Sequence, residues 1–447
     1  MIRVTEHQDA YLSSFTQRER ALAGHGRPWL DRIRKDAILR FADLGFPTMR
    51  KEQWKFTSVA PIAKMPFQPA GVAGNGLTPE KLQRLPFADL GCSRLVFVNS
   101  RYRPELSLLH GLPEGVRSGS LAAALGSEER FLEEHLARYA AFQEHAFVAL
   151  NTAFLNDGAF IYIPKGRVVE KPIHLLFVST AGAEAVVSHP RTLIVMGPDS
   201  EATIIESYLG LGNGVYFTNA VNELVVGENA VVDHYKLQME SEQSFHIATL
   251  QVQQGRSSSV SSHFLSLGGA LVRNDINAVL EGEGINCTLN GLYLVLGQQH
   301  VDNHTLIDHA KPHGTSQELY KGILAGKATA VFNGAIVVRK DAQKTDAIQR
   351  NKNLLLSDDA VVNTKPQLEI RANDVKCTHG ATIGQLDPNA IFYLRARGIG
   401  QEAARKLLIY AFARDIISRI KIGPLQDGLE KLLFARLSQG QKAEEVR

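Results

Sequence analysis

The chain has 447 residues, of which 44% are apolar and 21% charged, with a formal net charge of only +3. This composition is typical of a soluble globular protein with a sizeable core, and so small a charge excess gives no reason to expect a nucleic-acid or membrane partner. No apolar stretch approaches the ~20 residues that span a bilayer, and the N-terminus lacks the pattern of a secretory signal. The three cysteines, Cys92, Cys287 and Cys377, are far apart in the sequence. This favours a reducing cytoplasm over a disulfide framework.

Residues 1–155 are predicted to be mostly helical. Apolar side chains recur at helical spacing from Leu30 to Leu44, and Gly45 and Pro47 follow as stop signals. A second helical pattern runs from about residue 128 to residue 154. We therefore expect an N-terminal helical region that ends near residue 155.

Residues 156–385 are predicted to form short strands, because β-branched runs alternate with turns and helical periodicity disappears. Turn glycines follow these runs at successive spacings of 31, 30, 28 and 27 residues: Gly166, Gly197, Gly227, Gly255 and Gly282. A near-constant period of this size indicates a stacked repeat, in which each unit buries its apolar face against its neighbours. The pattern favours a β-solenoid; an up-and-down barrel would show shorter and less regular spacing.

Residues 386–447 return to a helical pattern. Asp387 and Pro388 form a helix-start signal, and Gly398 lies where a helix C-terminal glycine belongs. The following segment, residues 401–420, is apolar around most of its circumference and includes Ile409 and Tyr410. A helix of this kind is usually buried on two sides, either within its own domain or with one side against a partner protein.

Several enzymatic motifs are absent. The nearest match to a phosphate-binding loop, GILAGKA at residues 322–328, has three residues between its glycines instead of four and Ala328 in place of the Ser or Thr that binds magnesium. We therefore expect no ATP hydrolysis by this chain alone. Four histidines lie within residues 300–313, and we interpret them as exposed strand residues or satisfied core residues in preference to a metal site.

The segment DVKCTHGATIG, residues 374–384, contains the most suggestive pair of side chains. If this segment is extended, Cys377 and His379 point to the same side. Thiolate and imidazole are ligands that suit iron or zinc, but two ligands do not complete a site, and the others would have to come from elsewhere, such as another chain. A nucleophile with its base, or ordinary packing of a small buried cysteine, are the alternatives that the residues leave open.

Two segments carry a family resemblance. Residues 330–399, from AVFNGAIVVRK to FYLRARGI, and residues 46–58, FPTMRKEQWKFTS, resemble the SufB/SufD family of the SUF iron–sulfur cluster assembly system. The similarity extends over nearly the whole chain. It implies a mainly β fold, with a flattened right-handed parallel β-helix core at residues 156–385 between an N-terminal helical region (1–155) and a C-terminal helical domain (386–447).

Within this family the chain is most similar to the SufD branch, because it has Gly380 after the motif histidine and Cys377 before it. The SufB branch is the close alternative, and a β-helix carbohydrate-active enzyme is a more distant one. The resemblance implies a non-enzymatic scaffold that pairs with SufB and binds the ATPase SufC in a SufBCD complex, or that forms a homodimer when isolated.

The same resemblance implies roles for individual residues. His379, with Cys377 beside it, would contribute to a nascent cluster at the interface with SufB. No tightly bound cofactor is expected in the isolated chain, only transient iron or an iron–sulfur cluster in the complex. The C-terminal helical domain would dock SufC, which makes Ile409 and Tyr410 candidate contact residues.

Overall fold

A computed structural model describes residues 6–21, 27–71 and 76–445. Strands dominate it, and their bounds in chain order are β1 (Gln68–Pro69), β2 (Ser93–Val98), β3 (Arg101–Tyr102), β4 (Arg117–Ser120), β5 (Gly158–Ile163), β6 (Val168–Thr180), β7 (Val186–Ser188), β8 (Arg191–Met196), β9 (Glu201–Leu211), β10 (Tyr216–Val226), β11 (Val231–Met239), β12 (Phe245–Gln254), β13 (Ser259–Ser266), β14 (Leu271–Leu280), β15 (Asn286–Val295), β16 (His300–His309), β17 (Thr315–Leu324), β18 (Thr329–Val338), β19 (Asp346–Leu355), β20 (Val361–Ile370) and β21 (Lys376–Gly384).

Helices lie at both ends of this strand-rich region. Their bounds are α1 (Glu6–Ala21), α2 (Pro28–Leu44), α3 (Ala60–Lys64), α4 (Pro79–Gln83), α5 (Leu121–Ser127), α6 (Glu129–His135), α7 (Ala146–Ala153), α8 (Pro388–Arg395), α9 (Gln401–Ile417) and α10 (Gly423–Glu445). Two short 3-10 helices cover Glu52–Trp54 and Pro104–Leu106.

The strands form a parallel β-solenoid of about eight turns. Successive strands alternate between two sheets, so that one sheet runs from β5 through β8 and the even-numbered strands to β20, and the other from β6 through the odd-numbered strands to β21. Each strand pairs with the strand one solenoid turn further along the chain; Thr315 of β17, for example, pairs with Asp346 of β19. With two sheets per turn the cross-section is flattened, and the predicted mainly β fold with helical regions at both ends is confirmed.

The turn glycines that revealed the period lie at stacked corners. The amide of Gly197 donates to the carbonyl of Ile163 at 2.7 Å, and the amide of Gly227 donates to that of Met196 at 2.9 Å. A Cβ atom on Gly197 would lie only 2.6 Å from the backbone nitrogen of Lys165. Glycine therefore recurs because each corner lies directly on the corner of the preceding turn.

The main core fills the space between the two sheets. Alternate residues of each strand point inward, and they include the fully buried Ile204, Ile276, Phe332 and Ala347. Because neighbouring turns share this core, truncating one inward residue such as Ile276 to Ala is expected to cost about 2–5 kcal/mol.

The N-terminal region packs against both sheets and also extends both. Strand β2 pairs with β6, and β4 pairs with β5. The predicted helix ending at Leu44 is confirmed by α2. The second predicted helix, over residues 128–154, is wrong in part, because the chain forms α6 and α7 with a break between them.

The break has a long-range cause. Glu223, buried on β10 and paired with Arg191 at 2.6 Å, accepts backbone N–H groups from Ala137, Tyr139 and Ala140 at 2.8–2.9 Å. Ala137 is left-handed, with a φ of 59°. In a continuous helix these N–H groups would donate to carbonyls of the helix, whereas here they satisfy the buried carboxylate.

The C-terminal helices begin as predicted. The side chain of Asp387 caps α8 by accepting the amide of Asn389 at 2.9 Å, and Gly398 has a φ of +85° after the helix end. Helix α9 packs on the outer side of β15 and β17 and against α10. This explains why the segment is apolar on more than one side. No helix in the described part of the chain combines the length and the apolarity needed to cross a membrane.

Candidate functional site

The solenoid ends in an open edge at β20 and β21, the last strands of the two sheets. Among the described residues, each pairs with a strand of the preceding turn and with none beyond it. Both strands are largely solvent-accessible, in contrast to the buried strands of the earlier turns. Two adjacent unpaired strand edges of this length form a template for another chain.

The direction of the backbone amides shows what β21 offers to a partner. The amide of Lys376 donates to the carbonyl of Thr345 at 2.8 Å, so alternate amides from Lys376 onward face β19. The amides of Cys377, His379 and Ala381 therefore face the open edge. This edge can donate hydrogen bonds to a further strand.

The edge of β20 is interrupted. The amide of Val361 donates to the carbonyl of Ala328 at 3.0 Å, which places the amides of even-numbered residues on the open side. Pro366 lies at one of these positions and has no N–H to donate. Since the proline removes one donor from this edge, β21 is the better continuous template for strand addition.

Cys377 and His379 both lie on the interior side of β21. They are in register with Ala347 and Gln349 of β19, and these two residues are fully buried in the solenoid. The predicted common orientation of the two side chains is therefore confirmed. Cys377 is half-buried and packs against the main core, and burial raises the pKa of its thiol. His379 is exposed, because no further turn covers it.

Beneath His379 the solenoid interior is polar. The Nε2 group of Gln349 donates to Oε2 of Glu318 at 2.7 Å. Glu318 is 2% exposed, and burial without an ion-pair partner raises the pKa of its carboxyl to about 7. Asn351 and Asn353 lie beside Gln349 on the same buried side of β19 and hydrogen-bond to each other at 2.6 Å.

The sequence did not identify this polar layer. The strand DAIQRNKNLL, residues 346–355, has polar residues on both sides, so it lacks the alternation that marks an inward face. A usable signal was the amide at every second position, at Gln349, Asn351 and Asn353.

No group of three or more His, Cys, Asp or Glu side chains within the described ranges is placed to hold a metal ion. The histidine-rich strand β16 is accounted for by internal hydrogen bonds: His300 bonds to Thr57 at 2.9 Å, His304 to Asp302 at 3.0 Å and His309 to Ser316 at 2.9 Å. The interpretation as satisfied residues is confirmed for these three, whereas His313 is exposed in the turn after β16.

The GILAGKA segment comprises the last three residues of β17 and the turn before β18, in which Gly326 has a φ of +72°. A phosphate-binding loop leads into a helix, whereas here β18 follows. The segment is therefore a solenoid corner.

The two candidate docking residues of α9 are placed differently. Ile409 is 3% exposed and packs in the core between the helices and the sheet, so its side chain is not accessible to a partner. Tyr410 is half-buried and stacks on Phe434 with a ring distance of 4.7 Å. The exposed apolar residues of the C-terminal helices are Phe392 at 72%, Tyr393 at 56%, Leu407 at 44% and Phe434 at 39%.

Comparison with protein families covers almost the whole chain. Residues 177–412 match the family described as "SUF system FeS cluster assembly, SufBD core domain", and residues 5–175 match the "SufBD protein N-terminal region". The chain belongs to the SufBD family. The match to the core domain spans the turns that carry both open edge strands, helix α8 and the part of α9 up to residue 412.

Individual relatives agree with this. An iron–sulfur cluster assembly SufBD family protein of Synechocystis sp. is 36% identical over 411 residues, covering 90% of each chain. The iron–sulfur cluster assembly protein SufD of Escherichia coli is 34% identical over 397 residues, covering 88% of this chain and 89% of its own. The chloroplastic protein ABCI7 of Arabidopsis thaliana is 31% identical and covers 89% of this chain and 84% of its own.

Proposed function

We propose that this SufBD family protein is the SufD-type, non-ATPase scaffold subunit of a cytoplasmic SufBCD complex, and that it supports iron–sulfur cluster assembly at an interface with SufB. The observation that carries the proposal is the open end of the solenoid, where an unpaired strand edge and the Cys377–His379 pair lie on the same last turn. A paralogous β-solenoid chain fits this edge, because strand addition satisfies the exposed backbone groups of both partners.

His379 is proposed as the residue that contacts the nascent cluster. Its side chain is exposed at the open end, and its position faces the solenoid interior. Imidazole nitrogen is a suitable ligand for iron, and it can also accept a proton. Cys377 is proposed to have the lesser role, since its thiol is half-buried and burial raises its pKa, which disfavours the thiolate that metals bind.

The test of this proposal separates chemistry from assembly. His379→Ala is expected to abolish cluster formation in a reconstituted SufBCD complex and to fail to complement a strain without SufD, because loss of a direct ligand should exceed the ~10–100-fold effect of losing a supporting residue. Pull-down of SufB and SufC should be unchanged. Full complementation by His379→Ala would refute the proposal, and loss of the complex would assign the residue to assembly instead.

Docking of the SufC ATPase is proposed on the C-terminal helices. Leu407 and Phe392 supply exposed apolar surface, and Arg397 lies over the ring of Tyr393 at 3.4 Å from its centroid. Apolar and aromatic residues beside arginine are typical of interface contacts. Tyr410 remains a candidate contact at the margin of this surface, whereas Ile409 would act only by packing.

A further inference from the structure

A column of polar side chains runs along the solenoid interior and ends at His379. In-register pairing places Glu318 of β17, Gln349 of β19 and His379 of β21 one above the other on successive turns. Neighbouring strands lie about 4.8 Å apart, a separation at which side-chain amides hydrogen-bond along the stacking direction in glutamine and asparagine ladders.

The orientation of Gln349 is fixed from below. Its Nε2 group donates to Oε2 of Glu318 at 2.7 Å. A carboxyl oxygen of Glu318 can accept this bond in either protonation state, because the carbonyl oxygen of a protonated carboxyl is also an acceptor. Since the two ends of an amide point in different directions, the Oε1 atom of Gln349 is not directed at the Glu318 oxygen that accepts from Nε2.

The Oε1 atom of Gln349 is fully buried and has no hydrogen-bond partner among the residues that the structure describes. An unsatisfied buried acceptor costs about 1–3 kcal/mol, so a donor at this position would be stabilising. His379, in register on the next turn, has the only side chain of β21 at this position of the column, and a neutral imidazole has one N–H to donate.

We propose that Gln349, oriented by Glu318, accepts a hydrogen bond from one ring N–H of His379 and thereby fixes which ring nitrogen keeps its lone pair. This inference rests on the proposed role of His379 at the nascent cluster and assigns Gln349 and Glu318 as its positioning residues. A histidine ligand whose second nitrogen donates to a carbonyl or carboxylate is held in one tautomer and one ring orientation. The lone pair of the other nitrogen is then presented at the open end.

The direct test is the tautomeric state of His379 in the full-length protein. Ring nitrogen NMR shifts of protein labelled with ¹⁵N-histidine report the tautomer, and loss of one signal set in His379→Gln assigns it. At about pH 8.5 the wild type should show a single tautomer. Gln349→Met removes the acceptor at nearly constant volume, and both tautomers should then be populated.

Further variants separate positioning from packing. Glu318→Gln retains a carbonyl acceptor for the Gln349 amide and should preserve the single tautomer, whereas Glu318→Leu frees that amide and should produce the mixture even if Gln349→Met does not fold. Gln317→Met, on the exposed side of the same strand, is the matched control and should behave as the wild type.

Cluster assembly supplies the second readout. In the reconstituted complex, Gln349→Met should slow cluster formation ~10–100-fold while SufB and SufC still bind. An unchanged single tautomer in folded Gln349→Met or Glu318→Leu overturns the positioning role. Complementation by His379→Ala would instead overturn the proposed function and leave the tautomer result in place, so the two failures are distinguishable.

Discussion

Replacing the buried carboxyl of Glu318 by the amide in Glu318→Gln should stabilise the fold in a pH-dependent manner. The native pKa of Glu318 is raised from 4.5 to about 7 by burial, so the native state binds a proton that the unfolded chain releases between these values. The free energy of unfolding therefore falls as pH rises from about 4.5 to about 7 and stays lower above that range. At about 1.4 kcal/mol per tenfold difference in proton affinity, the loss is about 3 kcal/mol.

Glu318→Gln removes this titration but keeps the shape and the acceptor for Gln349. Its free energy of unfolding relative to the wild type should rise by about 3 kcal/mol between about pH 4.5 and about pH 8. The glutamine amide adds an N–H donor, but its effect on the free energy of unfolding does not depend on pH. It therefore cancels when the difference from the wild type is compared between pH values. Denaturant unfolding at several pH values measures the difference, and Glu201→Gln, at an exposed position of β9, should show none. A difference that does not change with pH would show that Glu318 ionises at its ordinary pKa, and the reasoning from burial would fail.

The open edge and the C-terminal surface lead to two further predictions. Ala381→Pro removes a backbone donor from the open side of β21, so it should weaken SufB binding at least tenfold by titration calorimetry with little loss of stability. Thr382→Pro removes a donor that faces β19, so it should destabilise the last turn by about 3 kcal/mol or more. Equal effects of the two substitutions would refute the assignment of the open edge. Leu407→Glu should reduce co-purification of SufC without changing the circular dichroism spectrum. Ile409→Glu places a charge at a buried position and should unfold the C-terminal helices. If the Leu407→Glu protein still co-purifies with SufC, the docking surface lies elsewhere.

The features that sequence predicted correctly are set by local geometry. A glycine recurred about every 30 residues because each corner, such as Gly197, lies on the backbone of the corner before it. The start of α8 was readable because Asp387 caps a helix within two residues of itself. The break between α6 and α7 was not readable, because the carboxylate that captures the amides there is Glu223, more than 80 residues away in the chain.

The candidate site, too, was predictable only where local geometry determines it. The two-residue periodicity of a strand placed Cys377 and His379 on one side, but it could not show that this side faces the interior of the last turn. Helix α9 is apolar around most of its circumference, so no single apolar stripe distinguishes the exposed Leu407 from the buried Ile409. Both pieces of information depend on register between segments about 30 or more residues apart.

The amide layer below the open end suits a surface that can be either exposed to water or covered by another chain. An apolar layer at this position would be exposed to water whenever the last turn frays, and it would favour non-specific association. The buried Asn351 and Asn353 instead bond to each other and to Tyr293, so their polar groups are paired when the end is dry and can bond to water when it is wet. Glu318 extends this layer at a cost in stability that a leucine would avoid, as is common where a polar group is retained for function. The cost is consistent with the proposed role of this column, which is to orient His379 at the open end of the solenoid.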